Sequence, residues 1–542
     1  MSHLRLRLLG LAVLSSLLLG VSLPNELLAF GDAATGFICL VPFFVLVVLL
    51  PTRRSAVWTG AAFGVTQSLI TNFWLAFFHG FSVWTVGGVA LGMGLYFMLF
   101  TPFFFTFGKL RSVYRPFVFA AAWTVYEYIK SIGFLAFPWG LVAFPVGGIL
   151  PLVQIADVTG VWGISFIMAL ISALGAETVL ALAGIGGWEA SIASLEHRRL
   201  LALVPGWSFA ALVVAGMLAY GFVTMARPLP VKGHLRAVLV QQNVNSWLAG
   251  PAEQRQMLTS GEDLSVAGIR RAGGPVDLVV WSEESLPLPY RFDHPYYERE
   301  PPQDPFVHFL KRINVPLLVG APYVLNAAKQ EVMNASILLD PQGRILDYYG
   351  KRRLVPFAEY VPFWNVPVVR KFMESFVGID GIWTPGDRNT IFTLKLHDGG
   401  TVRFGTPICF EDSFPNIARR FVLAGADLLI NLTNTSWSGT VSAETQQFEA
   451  ARYLSIENKR VMIRSTDSGL TSVIGPDGRL LASLPLFTAA ALPVDVPIAA
   501  SHHLTPYTLY GDYLPRLFAI LVVVVLFGMA RPGRERSSFR KM

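Results

Sequence analysis

Through the first 225 residues the apolar positions run together in long blocks, broken only by short polar connections. A helix needs about 20 apolar residues to cross a hydrocarbon core roughly 30 Å thick. Seven transmembrane helices are therefore expected, near residues 6–22, 33–50, 56–78, 84–107, 117–137, 160–183 and 201–225. An eighth is expected at 513–530, where residues 517–530 are apolar without a break between Arg516 and Arg531.

Between residues 228 and 512 the pattern changes to short β-branched runs alternating with polar, helix-compatible stretches, which predicts a separate α/β domain. Strands are expected near 235–241, 276–281, 315–324, 335–340, 401–408, 428–432, 461–465 and 472–474. The turn sequences Pro341-Gln342-Gly343 and Pro476-Asp477-Gly478 each lead into a further extended run. Such hairpins make the sheet partly antiparallel. The predicted organisation is a seven-helix membrane domain (1–226), an outer domain (227–512), an eighth helix (513–530) and a basic tail (531–542).

Composition agrees with a membrane protein: 53% of residues are hydrophobic and 15% charged, too apolar for an ordinary soluble chain of 542 residues. The net charge of +7 forms no stripe or recognition motif for nucleic acid. Basic residues instead cluster at Arg5/Arg7, Arg53/Arg54, Lys109/Arg111/Arg115 and Arg198/Arg199, which fall in alternate connections. By the positive-inside rule those connections are cytoplasmic. Both termini are then cytoplasmic, and the domain between spans seven and eight faces outward. Residues 1–23 have the basic start and apolar core of a signal peptide, but no clear small-residue cleavage site follows, so an uncleaved helix is expected. Within the spans, Glu127 and Lys130 stand three apart and are expected to pair or to snorkel near a helix end, whereas Glu177 is alone in span six and is open to a functional or a structural reading.

Two segments of the outer domain break its rhythm: 286–302, rich in Pro and Tyr, and 362–383, where aromatic residues interleave with charges. They read either as loop packing or as apolar arms that dip into the bilayer interface.

The chain has two cysteines, Cys39 in an apolar block and Cys409 in the outer domain, so a disulfide framework is excluded. Cys409 ends an apolar strand and opens Cys409-Phe410-Glu411-Asp412; Glu283 and Glu284 end another; Lys351 opens Lys351-Arg352-Arg353-Leu354-Val355-Pro356-Phe357-Ala358-Glu359. Ionisable residues at the ends of buried strands are where α/β folds commonly build sites. A thiol is weakly nucleophilic at neutral pH and needs a base and nearby positive charge, which Glu283 and Lys351 can supply. Taken singly, each has a plain reading: an inert buried thiol, a helix cap, a surface charge. No HExxH, G-x-S-x-G or Walker sequence is present, and the nine histidines have no metal-ligand spacing. Neither a metal nor another cofactor is expected.

These residues resemble the nitrilase superfamily, and the whole chain resembles its membrane-bound branch, the apolipoprotein N-acyltransferase family. The resemblance rests on Trp281-Ser282-Glu283, the 351–359 run, Cys409-Phe410-Glu411, Asn434-Thr435-Ser436-Trp437, the 464–469 run and Gly475-Pro476-Asp477-Gly478, with a weaker match at Phe137-Pro138-Trp139. It implies a four-layer αββα sandwich in which Glu283 is the general base, Lys351 the oxyanion stabiliser and Cys409 the nucleophile. It also implies supporting roles for Glu359, Glu411, Phe410, Trp437 and an aromatic residue corresponding to Trp247. Departures are Ser282 where the family usually has Pro, Ala358 where it has Gly, and Phe410 where Tyr is frequent. The implied reaction takes an acyl chain from a membrane phospholipid, through a Cys409 thioester, to a diacylglyceryl-modified apolipoprotein at the outer face of a bacterial inner membrane. The triad alone leaves open a membrane-anchored hydrolase, and a domain that only binds a ligand.

Overall fold

The computed structural model describes residues 2–77, 82–188, 196–227, 230–244, 250–377, 381–500 and 503–530. Among the described residues, five helices are long and apolar enough to cross a bilayer: Leu4–Ser22, Val83–Phe107, Val161–Ala183, Arg199–Met225 and Tyr513–Ala530. The other three expected spans have a different form. Residues 33–50 give Ala33–Gly36 followed by Val41–Leu49; residues 56–78 give the helix Arg53–Thr71 and a 3₁₀ turn at Phe73–Phe77; residues 117–137 give Arg115–Lys130, only 16 residues long. The fifth block is shortened because its last residues leave the helix as a loop with Gly133 at φ 82°. A glycine supplies that conformation without steric penalty.

Glu127 and Lys130 make no ion pair with each other among the described residues. Glu127 Oε1 instead accepts the Val142 N–H at 2.8 Å, and Lys130 Nζ donates to the Trp139 carbonyl at 2.7 Å. Glu177 is not alone: Arg115 donates to it at 2.7 Å from 62 residues away, with both side chains buried.

Among the described residues, the unit that follows the helix ending at Met225 contains twelve strands. The first five are β1 (Val231–Gln241), β2 (Leu278–Val280), β3 (Leu317–Asn326), β4 (Glu331–Leu339) and β5 (Ile345–Gly350). They are followed by β6 (Phe392–Lys395), β7 (Thr401–Gly405), β8 (Leu428–Thr433), β9 (Met462–Thr466), β10 (Ser472–Ile474), β11 (Leu480–Ser483) and β12 (Ala490–Ala499). Two six-stranded sheets result, in the orders β12-β1-β2-β3-β4-β5 and β11-β10-β9-β8-β7-β6. Both turn sequences form the expected antiparallel hairpins, β4–β5 and β10–β11.

The period-2 alternation of strand side chains explains the layering. From the first sheet, Ala237, Leu239, Leu278 and Val280 face the second sheet, where Leu428, Ile430, Leu432 and Ile463 complete one core. Val238, Val240 and Val279 point the other way, onto Leu258 of helix Pro251–Ala272 and Phe306, Phe309 and Leu310 of helix Phe306–Ile313. Helices Pro415–Leu423 and Val441–Asn458 cover the second sheet through Phe421, Phe448, Ala451 and Leu454. This is the expected αββα sandwich.

The helix Val441–Asn458 is buried from Ser442 to Asn458 although it carries Glu444, Gln446, Gln447, Glu449, Arg452, Glu457 and Asn458. Its far side meets the membrane helices. Gln446 donates to the carbonyls of Pro24 and Thr71, Tyr453 to Ala143, and Glu457 accepts the N–H of Val161 at 2.9 Å. Val161 opens the helix Val161–Ala183, so this side chain satisfies the first N–H of that helix.

The two irregular segments part company. In 286–302, Leu286, Tyr290 and Tyr297 are buried in the outer core of the first sheet, so this stretch is loop packing. In 362–383, Phe363, Val366, Val368 and Phe372 are exposed, while Val361 and Met373 anchor a small cluster beneath them. Phe372 reaches Trp84, near the start of a membrane-spanning helix, with ring centroids 6.4 Å apart.

Candidate active site

Glu283, Lys351 and Cys409 come together where the ends of the two sheets face each other. Beyond β2 the chain turns sharply, with Glu284 at φ 55°. Gly320 of β3 permits the turn, because a Cβ there would lie 2.5 Å from the Glu283 Cα. Beyond β7 the chain reaches Cys409 at φ 47° before a short 3₁₀ turn, Cys409–Ser413. A non-glycine residue in this region costs about 1–2 kcal/mol, which the surrounding bonds must hold in place. Asn431 Nδ2 supplies one such bond, donating to the Cys409 carbonyl at 3.3 Å and to the Pro407 carbonyl at 3.1 Å.

Lys351 is 1% exposed and Glu283 4% exposed, so neither charge could persist there unpaired. Lys351 Nζ donates to Glu283 Oε1 at 2.9 Å and to Glu359 Oε1 at 2.7 Å. Asn334 Nδ2 donates to the same two carboxylates, at 2.8 and 3.3 Å. The other Glu283 oxygen accepts the Asn434 N–H at 2.9 Å, and the other Glu359 oxygen accepts the Val355 N–H at 2.8 Å.

Electrostatics set the resting protonation. Burial alone would lower the Lys351 pKa, but Glu283 and Glu359 outweigh it and hold the ammonium well above its ordinary value. Burial, then the Glu283 charge, pushes the Cys409 thiol well above the ordinary thiol value, against the opposing pull of Lys351. The resting group is thus an ammonium between two carboxylates, beside a protonated thiol. Passing the thiol proton to Glu283 keeps the net charge of the group constant; losing it to water would add a second net negative charge. The charge balance therefore favours keeping the proton inside the site.

Glu411 lies on the turn that Cys409 opens but, among the described residues, makes no hydrogen bond to Lys351 or Cys409. Its fully buried carboxylate accepts the N–H groups of Ile408, Arg352 and Arg353 at 2.8–2.9 Å and the Tyr349 hydroxyl at 3.0 Å. It ties the Cys409 turn to the backbone that carries Lys351. Phe410 stacks on Trp139, with centroids 5.3 Å apart at 12°, and Trp74 lies between Trp139 and Trp437 at 5.7 and 5.8 Å. An aromatic wall to which both halves of the chain contribute, Trp74 and Trp139 from one and Trp437 from the other, thus abuts the residue after Cys409.

The amino-acid sequence matches two family models in tandem. The apolipoprotein N-acyltransferase N-terminal domain matches residues 15–174, and the carbon-nitrogen hydrolase model matches 236–501. Apolipoprotein N-acyltransferase 2 of Treponema denticola is 37% identical, over 95% of this chain and 96% of its own length. This chain belongs to the apolipoprotein N-acyltransferase family. The enzyme named apolipoprotein N-acyltransferase 2 in Treponema pallidum is 34% identical over 97% of this chain and 95% of its own, and the apolipoprotein N-acyltransferase of Borreliella burgdorferi 29% over 95% and 94%. Membership of the apolipoprotein N-acyltransferase family makes this an N-acyltransferase of the nitrilase superfamily, with its αββα unit in the hydrolase-like half.

Of the residues expected at the site, Glu283, Lys351, Glu359 and Cys409 converge, with Glu411 and Phe410 directly behind and Trp437 on the aromatic wall. Trp247 lies outside the described residues. Asn334 escaped the sequence reading, although an asparagine inside the apolar run of β4 is the kind of buried polar residue that signals a partner. Tyr349 and the backbone N–H of Asn434 were also missed.

Proposed function

We propose that the chain transfers an acyl chain from a membrane phospholipid, through a thioester on Cys409, to the N-terminal α-amine of diacylglyceryl-cysteine in apolipoproteins. The observation that carries this reading is the ammonium of Lys351 held between Glu283 and Glu359 beside a protonated thiol.

Glu283 takes the Cys409 proton as the sulfur attacks an ester carbonyl of the phospholipid. Lys351 and the backbone N–H of Phe410 hold the oxyanion. The C–O bond breaks, Glu283 returns the proton to the leaving oxygen, and lysophospholipid departs. The incoming amine then attacks the thioester carbonyl and gives a proton to Glu283. The C–S bond breaks, and the thiolate recovers that proton. Glu359 and Asn334 keep Lys351 and Glu283 in register through both halves.

Eight membrane helices, with both termini cytoplasmic and residues 227–512 outside, suit this chemistry, because donor and acceptor are both lipids that stay in the bilayer. In this scheme Val41–Leu49, Arg53–Thr71 and Arg115–Lys130 cross as part of a packed bundle, and the exposed apolar face of 362–377 rests at the interface. The basic tail 531–542 lies outside the described residues; its charge assigns it to the cytoplasmic side in this scheme. Mass spectrometry of the full chain after incubation with phospholipid tests the reading. An acyl mass on the Cys409 peptide that an amine acceptor discharges as amide is expected; release only as free fatty acid would instead mark a hydrolase.

A further inference from the structure

Lys130 has no part in that scheme, yet it holds the loop whose Trp139 stacks on Phe410, the residue after Cys409. It is 3% exposed, and its ammonium donates to the Trp139 carbonyl at 2.7 Å. The last turn of helix Arg115–Lys130 grips the following loop at two more points: Phe137 N–H donates to the Lys130 carbonyl at 2.7 Å, and Val142 N–H to Glu127 at 2.8 Å. Between these anchors Gly140 takes φ 65° and turns the chain. The loop held this way presents Trp139, with Phe137 stacked on it at 5.8 Å and Phe410 at 5.3 Å. Arg353, two residues after Lys351, reaches the Gly133 carbonyl at the start of the same loop.

We propose that Lys130 is a positioning residue for acyl transfer: by holding the Trp139 carbonyl it fixes the indole against Phe410, and through Phe410 the backbone N–H that meets the oxyanion. The inference rests on the acyl-transfer reading above. A buried ammonium admits few alternative placements, because leaving its carbonyl partner strands a charge away from water. The loop accordingly has one seat, and the flat contact with Phe410 carries that placement to the turn at Cys409. Glu127 works from the same helix face, fixing the far end of the loop at Val142.

The test uses the full chain in mixed micelles with phosphatidylethanolamine, as wild type, Lys130→Met, Lys130→Arg, Trp139→Leu and the Lys130→Met/Trp139→Leu double variant. Thioester formation on Cys409 is followed in a single turnover across lipid concentrations, and amide hydrogen exchange is read over 409–414 and over 428–433. Lys130→Met is expected to slow thioester formation about 10- to 100-fold at saturating lipid, the size of effect that misplacement by an ångström produces. Its half-saturating lipid concentration should stay within about two-fold, and exchange should quicken over 409–414 but not over 428–433. Lys130→Arg should recover most of the rate, and in the Trp139→Leu background Lys130→Met should add less than about a two-fold loss, because the two act as one unit. A wild-type rate and exchange pattern in Lys130→Met would overturn the proposal, as would full multiplicative losses in the double variant or quickened exchange across both segments. If wild type itself forms no thioester, the acyl-transfer reading fails, and the exchange comparison still decides whether Lys130 fixes the 409–414 segment.

Discussion

Glu411 accepts the backbone N–H of Arg352 at 2.8 Å, joining the turn that carries Cys409 to the strand end that carries Lys351. All hydrogen bonds made by this carboxylate come from donors, three of them backbone N–H groups. An amide in its place would, in either orientation, turn an NH₂ toward a backbone N–H, which can only donate. Glu411→Gln is therefore expected to lower stability by about 1.5–3 kcal/mol, the range for hydrogen bonds to a charged group. It should also slow thioester formation, although Glu411 touches neither Cys409 nor Lys351. Thermal melting and single-turnover acylation, read on the same preparation, check both.

Cys409→Ala should abolish the acyl adduct while leaving the melting temperature close to wild type. Glu283→Gln should leave the thiol in place but reduce its acylation by about 100-fold or more, within the range for loss of a general base. Acyl mass on the 409-containing peptide reads both outcomes. Full acyl transfer by either variant at normal protein levels would remove the assigned roles.

The Cys409 thiol is held well above its ordinary pKa by burial and by Glu283, with Lys351 opposing. Its alkylation by iodoacetamide should therefore still be climbing at a pH where a free cysteine has levelled off, at about 9.5. Glu283→Gln removes a negative charge and should shift that profile to lower pH. Lys351→Met removes the positive one and should shift it to higher pH. Alkylation rate against pH, followed by mass, gives the sign directly.

Glu284 is pushed up to about 8 by burial, then by the charges of Glu283 and Glu359. A carboxyl whose folded pKa lies above its unfolded value stabilises the fold while protonated and loses that contribution as pH rises. Stability should thus fall between about pH 4.3, where an unfolded glutamate titrates, and about pH 8, by at most about 1.4 kcal/mol per pH unit. Glu284→Gln should flatten this decline. Melting temperatures of both proteins across that window test it.

Much of the site was legible because its residues stand at strand ends with local signatures: Trp281-Ser282-Glu283, the run from Lys351 to Glu359, and Cys409-Phe410-Glu411. Asn334, Tyr349 and the Asn434 N–H were not, because their partners lie 51, 62 and 151 residues away and no spacing rule connects them. The missed strand β12 carries Pro493 and Pro497, residues that argue against a strand until it is seen to sit at a sheet edge, where the missing N–H groups cost nothing. Apolar block length located the membrane region, but the helices within it follow packing and turns: the fifth block leaves the helix after Lys130 for a loop that turns at Gly133 and that the Lys130 ammonium holds. Glu177 looked solitary for the same reason as Asn334, since Arg115 meets it from another helix.

The helix Val441–Asn458 has no face left for either water or lipid. A cut that released residues 230–500 would uncover Gln446, Glu449, Tyr453 and Glu457 on one side of it, and would also leave the Thr71 carbonyl and the Val161 N–H without their partners. The hydrolase-like half is thus a separate fold but not a separable part. Evolutionary exchange of the membrane half for another anchor would demand a new surface along this one helix, and that ties the catalytic sandwich to its own bundle.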